Sequence, residues 1–192
     1  MNRRLTGFAL LMLATASCGG TTALSADGGA GAVPVNHRSS AETCERERAP
    51  GACDPPVSVA MQCTADSDCA TSTNGRCNNT IHLPGCECTY DQCFADSDCT
   101  TAGPCGCRAT GVTTGPWNRC LAGNCRTDSE CGPGNYCSPT VGFDCGPYTG
   151  VVGYYCHHPK DACINDSDCT QGDCRYDPAS GGWACATGKC TG

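Results

Sequence analysis

Hydrophobic residues are thinly spread along this chain, and their placement predicts a fold without an ordinary core. The one sustained apolar stretch is residues 5–16. From residue 44 onward the only Leu are Leu83 and Leu121, the only Ile are Ile81 and Ile164, and the only Phe are Phe94 and Phe143. Val is sparse too, at 57, 59, 112, 141, 151 and 152. With 25 Gly and 12 Pro, the intervening sequence favours loops over long helices. The elements expected are short: strands flanked by Trp117, Tyr154, Tyr155 and Trp183, whose rings pack on neighbouring disulfides, and a short helix over 42–48.

A seven-residue signature recurs in place of hydrophobic periodicity. Cys63-TADSD-Cys69, Cys93-FADSD-Cys99, Cys125-RTDSE-Cys131 and Cys163-INDSD-Cys169 all read Cys-x-x-Asp-Ser-(Asp/Glu)-Cys, with starts 30, 32 and 38 residues apart. The chain holds 23 Cys in 192 residues, above the roughly 8–10% that marks a disulfide scaffold. Such scaffolds replace a core by cross-links that restrict the unfolded chain. Aligned on the signature, the blocks hold Cys63, Cys69, Cys77, Cys86 and Cys88; Cys93, Cys99, Cys105, Cys107 and Cys120; Cys125, Cys131, Cys137, Cys145 and Cys156; and Cys163, Cys169, Cys174, Cys185 and Cys190. Five is odd, so a closed periodic array needs two blocks per unit. We therefore expect two ten-cysteine modules, 63–122 and 123–192, and no disulfide joining these halves. Cys44 and Cys53 precede them and pair with each other or staple to the first block. The fold class expected is small and disulfide-rich, with short β-strands and loops in tandem modules and little helix.

The N-terminus reads as an address. Residues 1–4 are a short positive region, and 5–16 is too short to span a bilayer but suits a signal peptide. Ala14-Thr15-Ala16 offers ordinary signal-peptidase cleavage, whereas Thr15-Ala16-Ser17-Cys18 resembles a bacterial lipobox in which Cys18 is lipidated. Parity favours the lipobox: removing Cys18 leaves 22 Cys, enough for eleven disulfides. The chain then divides into a signal peptide (1–17), a flexible tether (18–43), a lead segment (44–62) and the two modules. The location expected is the bacterial outer membrane, held by the N-terminal lipid, with free secretion as the alternative. Either route reaches an oxidising compartment.

The net charge of −7 and the scattered basic residues argue against nucleic acid as a partner. The Asp-Ser-Asp triplets make Asp66, Asp68, Asp96, Asp98, Asp166 and Asp168 weak calcium candidates. The other reading has the first Asp capping a helical turn through backbone N–H bonds. No Cys-x-x-Cys occurs, which disfavours zinc and thioredoxin-type sites. The His residues are His37, His82, His157 and His158; none recurs between blocks, and the last two are expected as solvated loop residues. With no nucleophile–base pair to nominate, neither an enzyme nor a cofactor is expected.

The signature with a following third Cys resembles the N-terminal cysteine-rich domain of the Dickkopf family. The residues that carry this are Cys63/Asp66/Asp68/Cys69/Cys77, Cys93/Asp96/Asp98/Cys99/Cys105, Cys125/Asp128/Glu130/Cys131/Cys137 and Cys163/Asp166/Asp168/Cys169/Cys174. The resemblance implies a ten-cysteine, colipase-like fold that acts by binding proteins. The function expected is a non-catalytic surface module binding a protein or glycan. The rivals are a protease inhibitor with its loop around Arg108 or Arg119, and a purely structural envelope component.

Overall fold

The structure, a computed structural model, describes residues 33–51, 53, 62–79, 85–108, 117–142 and 150–187. Each repeat is one turn of 3-10 helix followed by a small hairpin. The turns are Asp66–Cys69, Asp96–Asp98, Asp128–Glu130 and Asp166–Asp168. The hairpins are β1 (Arg76–Asn79) with β2 (Cys86–Thr89), β3 (Cys105–Gly106) with β4 (Arg119–Cys120), β6 (Tyr136–Val141) with β7 (Val151–His157), and β8 (Asp173–Asp177) with β9 (Gly182–Ala186). One further strand, β5 (Ala122–Gly123), adds in parallel to β7 and joins the second repeat to the third. The small disulfide-rich fold of strands and loops is therefore as expected from the sequence.

Register explains why the cysteines are spaced as they are. In every hairpin two cysteines face each other across the strands: Cys77 and Cys88, Cys105 and Cys120, Cys137 and Cys156, Cys174 and Cys185. Each of the two bonds back to the signature turn. The first signature Cys takes the nearer strand (Cys63–Cys77, Cys93–Cys105, Cys125–Cys137, Cys163–Cys174). The second takes the farther one (Cys69–Cys88, Cys99–Cys120, Cys131–Cys156, Cys169–Cys185). A two-stranded hairpin alone is marginal in water, and here two cross-links hold it to its turn. Among the described residues, the buried hydrophobic ones other than Phe94, Leu121, Tyr154 and Trp183 are cysteines.

The lead segment accounts for two of the cysteines left over. Cys53 bonds to Cys86 of the first repeat, and Cys44 bonds to Cys107 of the second. No described bond links one repeat to another, so parity within 63–122 is met from outside the repeats rather than by exchange between neighbours. Cys145 and Cys190 lie outside the described residues, as do Cys18, the signal peptide expected over 1–17 and residues 19–32.

Residues 33–51 form an extended strap that crosses the repeats in reverse order. Its start lies on the fourth repeat, where the Val35 N–H donates to Asn165 Oδ1 at 2.7 Å. On the third, the Arg38 N–H donates to the Cys137 carbonyl (2.8 Å) and the Asp128 N–H to the Arg38 carbonyl (2.9 Å). On the second, the Cys44 N–H donates to the Phe94 carbonyl at 2.8 Å, and the Arg46 guanidinium lies over the Phe94 ring. On the first, buried Arg48 donates to the carbonyls of Asn74 (2.6 Å) and Thr89 (2.9 Å) and to Thr89 Oγ1 (2.7 Å).

Two expectations change here. Residues 33–43, read as flexible tether, are bound along the repeats. The helix expected over 42–48 is absent: the segment has no regular structure, and the carbonyls of residues 45–49 accept from the repeats. Asn118 Nδ2 donates to Glu45 O, Asn74 Nδ2 to Arg46 O and Arg108 Nη2 to Glu47 O, while the Arg76 guanidinium reaches Arg48 O and Ala49 O.

Gly51 shows how close the strap lies. A Cβ there would stand 2.2 Å from the Cys77 carbonyl oxygen and 2.5 Å from Asp66 Oδ1. Gly51→Ala is expected to destabilise the protein by about 1–3 kcal/mol, read from the guanidinium midpoint with disulfides intact. Ser72→Ala, on an exposed turn, should stay within about 0.5 kcal/mol of the parent.

Candidate functional site

The signature carboxylates form the most regular polar feature of the fold. The second acid of each triplet turns back on its own turn. Asp68 Oδ2 accepts from the N–H groups of Thr64 and Ala65, Asp98 Oδ2 from Phe94 and Ala95, and Asp168 Oδ2 from Ile164 and Asn165. Glu130 accepts from the Arg126 N–H. This is the capping role that short acidic side chains fill at a helix start. These N–H groups favour the charged form and hold the Asp68, Asp98 and Asp168 carboxyls below the usual carboxylate range.

The first acid reaches farther than a local cap. Asp66, Asp96, Asp128 and Asp166 each accept, through Oδ1, the N–H of the third cysteine of their repeat, at 2.8–2.9 Å. The carboxylate thus bridges the turn to the hairpin beside a disulfide. The alternative cap reading had placed this residue's bonds within the turn, and their range in sequence is the difference. Asp66 also accepts from the Gly51 N–H (3.0 Å), which together with the Cys77 N–H holds its carboxyl below the usual range.

These bonds place all six calcium candidates in framework contacts. Among the described residues, the sets of three or more metal-ligating side chains that converge are cysteines already joined in disulfides. Arg108, a candidate inhibitor-loop residue, is tied down: its guanidinium pairs with buried Asp91 at 3.0 Å and donates to Glu47 O. Arg119 lies on β4, half-buried. His82 falls outside the described residues, whereas His37 sits on the strap against Asp128.

A groove of about 900 Å³ lies between strap residues 34–42 and the third and fourth repeats. Ser138, Tyr154, His157, Ile164, Asp166 and Trp183 line its repeat side. His157 is buried, not solvated as expected. Its ring stacks on Trp183 with centroids 3.8 Å apart, and its Nδ1 lies 3.1 Å from Asp161 Oδ2. The Trp183 Nε1–H donates to the Cys156 carbonyl at 3.2 Å. Tyr155 stacks on Tyr176 at 3.7 Å, which packs the third hairpin on the fourth. The expected packing of aromatics on disulfides holds for Tyr154 and Trp183.

A serine, a histidine and an aspartate line or adjoin this groove, yet no charge-relay chain runs through them. Ser138 Oγ is buried with no hydrogen-bond partner, so the serine–histidine bond that activates a nucleophile is not formed. Sequence reasoning missed Ser138 and the strap wall at 34–38. Neither carries a motif, and only their placement by the fold brings them to the groove.

No protein-family model matches the chain, and no curated protein or solved structure matches it.

Burial holds the His157 pKa below the ordinary 6.5, outweighing the opposing pull of Asp161. The folded state therefore favours the neutral ring more than the unfolded chain does. The stability this contributes is complete above pH 6.5 and is lost as pH falls below it. Denaturant midpoints should fall between about pH 8 and about pH 5, and His157→Gln should flatten that slope. A second loss should begin below about pH 4 as the capping aspartates protonate.

Proposed function

We propose that this protein is a non-catalytic binding module, carried on the bacterial cell envelope by a lipid on Cys18 and presenting its groove to a protein or glycan. The outer membrane is the proposed location, with secretion as the alternative. The observation that carries the reading is the groove itself. One wall is strap residues 34–42, hydrogen-bonded to the third and fourth repeats and followed by the Cys44–Cys107 disulfide, and the other is a pair of hairpins each clamped by two disulfides. Walls fixed before binding lower the ordering cost of recognition. The resemblance of the signature to the Dickkopf cysteine-rich domain, whose family acts by binding proteins, leans the same way.

A photoreactive residue in place of Val141, which lines the groove and is exposed, tests this in intact envelopes. The same residue in place of Ser72, in the first repeat, is the control. A discrete adduct formed from position 141 and not from 72 is the expected outcome. Identical adducts from both positions, or none from either, would leave the structural-component reading instead.

A further inference from the structure

The four repeats use their first signature carboxylate alike toward the hairpin but unlike toward the strap. Asp66 receives the Gly51 N–H, Asp96 receives the Arg38 guanidinium at 2.6 and 3.2 Å, and Asp128 receives His37 Nδ1 at 2.7 Å. At the fourth repeat the strap passes to the neighbouring residue, with the Val35 N–H bound to Asn165. Among the described residues, the Asp166 carboxylate keeps only its bond from the Cys174 N–H. It has no ion pair among the described residues and is exposed on the groove.

Three filled positions show what this carboxylate accepts in this fold: a peptide N–H, a guanidinium and an imidazole, each brought by an extended chain. The fourth position offers the same acceptor to an open groove. A second polar group there has no hydrogen-bond partner: buried Ser138 Oγ, on a residue 2% exposed that lines the groove. The groove further presents Val35, Val141 and Ile164 as apolar contacts. The net charge of −7 complements a basic ligand and steers its approach.

We propose that the groove binds an extended peptide segment of a partner protein through an arginine or lysine side chain that pairs with Asp166, as Arg38 pairs with Asp96. This rests on the binding-module reading and names its partner class. The segment lies beside the strap, its cation on Asp166 and its flanking apolar side chains on Val35, Val141 and Ile164.

The test uses the full disulfide-bonded protein and a dye-labelled peptide, Ala-Val-Arg-Val-Ala, with its citrulline twin, followed by fluorescence anisotropy at low salt. Saturable binding is expected, weaker by about tenfold for the citrulline peptide, since a hydrogen-bonded charge pair is lost. Asp166→Asn should weaken the arginine peptide by about the same factor, and Glu87→Gln, on β2, should leave it unchanged. The citrulline comparison alters only the ligand, so it does not depend on how the variant folds. Equal affinity for both peptides, equal affinity of Asp166→Asn and parent, or no saturable binding would overturn the proposal. A groove-specific adduct from position 141 together with any of those results would remove the cationic-peptide inference and leave the binding module standing.

Discussion

Each repeat depends on a pair of cystines that close one turn onto both strands of a hairpin. The sequence has too few large apolar residues to fold a strand pair by burial, and a two-stranded sheet has only one neighbour to share hydrogen bonds with. Joining the first signature cysteine to one strand and the second to the other fixes register, spacing and facing residues together. Each bond closes a loop of 11 to 25 residues, which in the chain-entropy view contributes about 3 kcal/mol. The carboxylate bond to the third cysteine's N–H lies inside the same clamp. It satisfies the backbone donor of a buried cysteine.

Direct contacts join the second repeat to the third through β5 and β7, and the third to the fourth through Tyr155 and Tyr176. The strap adds a single segment that reaches all four repeats. It runs against the order of the repeats and touches all four, covalently on the first two and through ionisable and backbone contacts on the last two. Asp91 adds to this junction: its buried carboxylate gathers the Asn118 N–H, Asn74 Nδ2 and the Arg108 guanidinium. Burying one charge there is costly alone, and its pairing with Arg108 plus two further donors offsets that cost. The groove arises where the covalent part of the strap has ended and its remainder bridges the third and fourth repeats.

The repeat was legible in the sequence because its determinants are local. Cys-x-x-Asp-Ser-(Asp/Glu)-Cys states both the turn and the two cross-link positions, and the scarcity of Leu, Ile and Phe rules out a conventional core. The strap was not legible, because residues 33–51 carry no periodicity and are held through backbone groups by Asn74, Arg76, Arg108 and Asn118, which look like ordinary surface residues. A signal for its covalent half did exist. Two blocks contain Cys-x-Cys, at Cys86/Cys88 and Cys105/Cys107, and two cysteines precede the repeats; Cys53 and Cys44 are the partners of one cysteine in each. His157 was misjudged for a related reason. His158, Pro159 and Lys160 follow it and suggest a solvated loop, but His157 ends β7 and its ring stacks on Trp183 of the next repeat.

The account stands on the strap being part of the fold, so the disulfides that anchor it are the measurement to make. Digestion of the unreduced protein, with thiols blocked at low pH and linked peptides sequenced by mass spectrometry, identifies the partners of Cys44 and Cys53. The account predicts Cys44 with Cys107 and Cys53 with Cys86. A Cys44–Cys53 link, or a disulfide between Cys86 and Cys107, would free the lead segment from the repeats. The strap, and the groove it walls, would then have no covalent support.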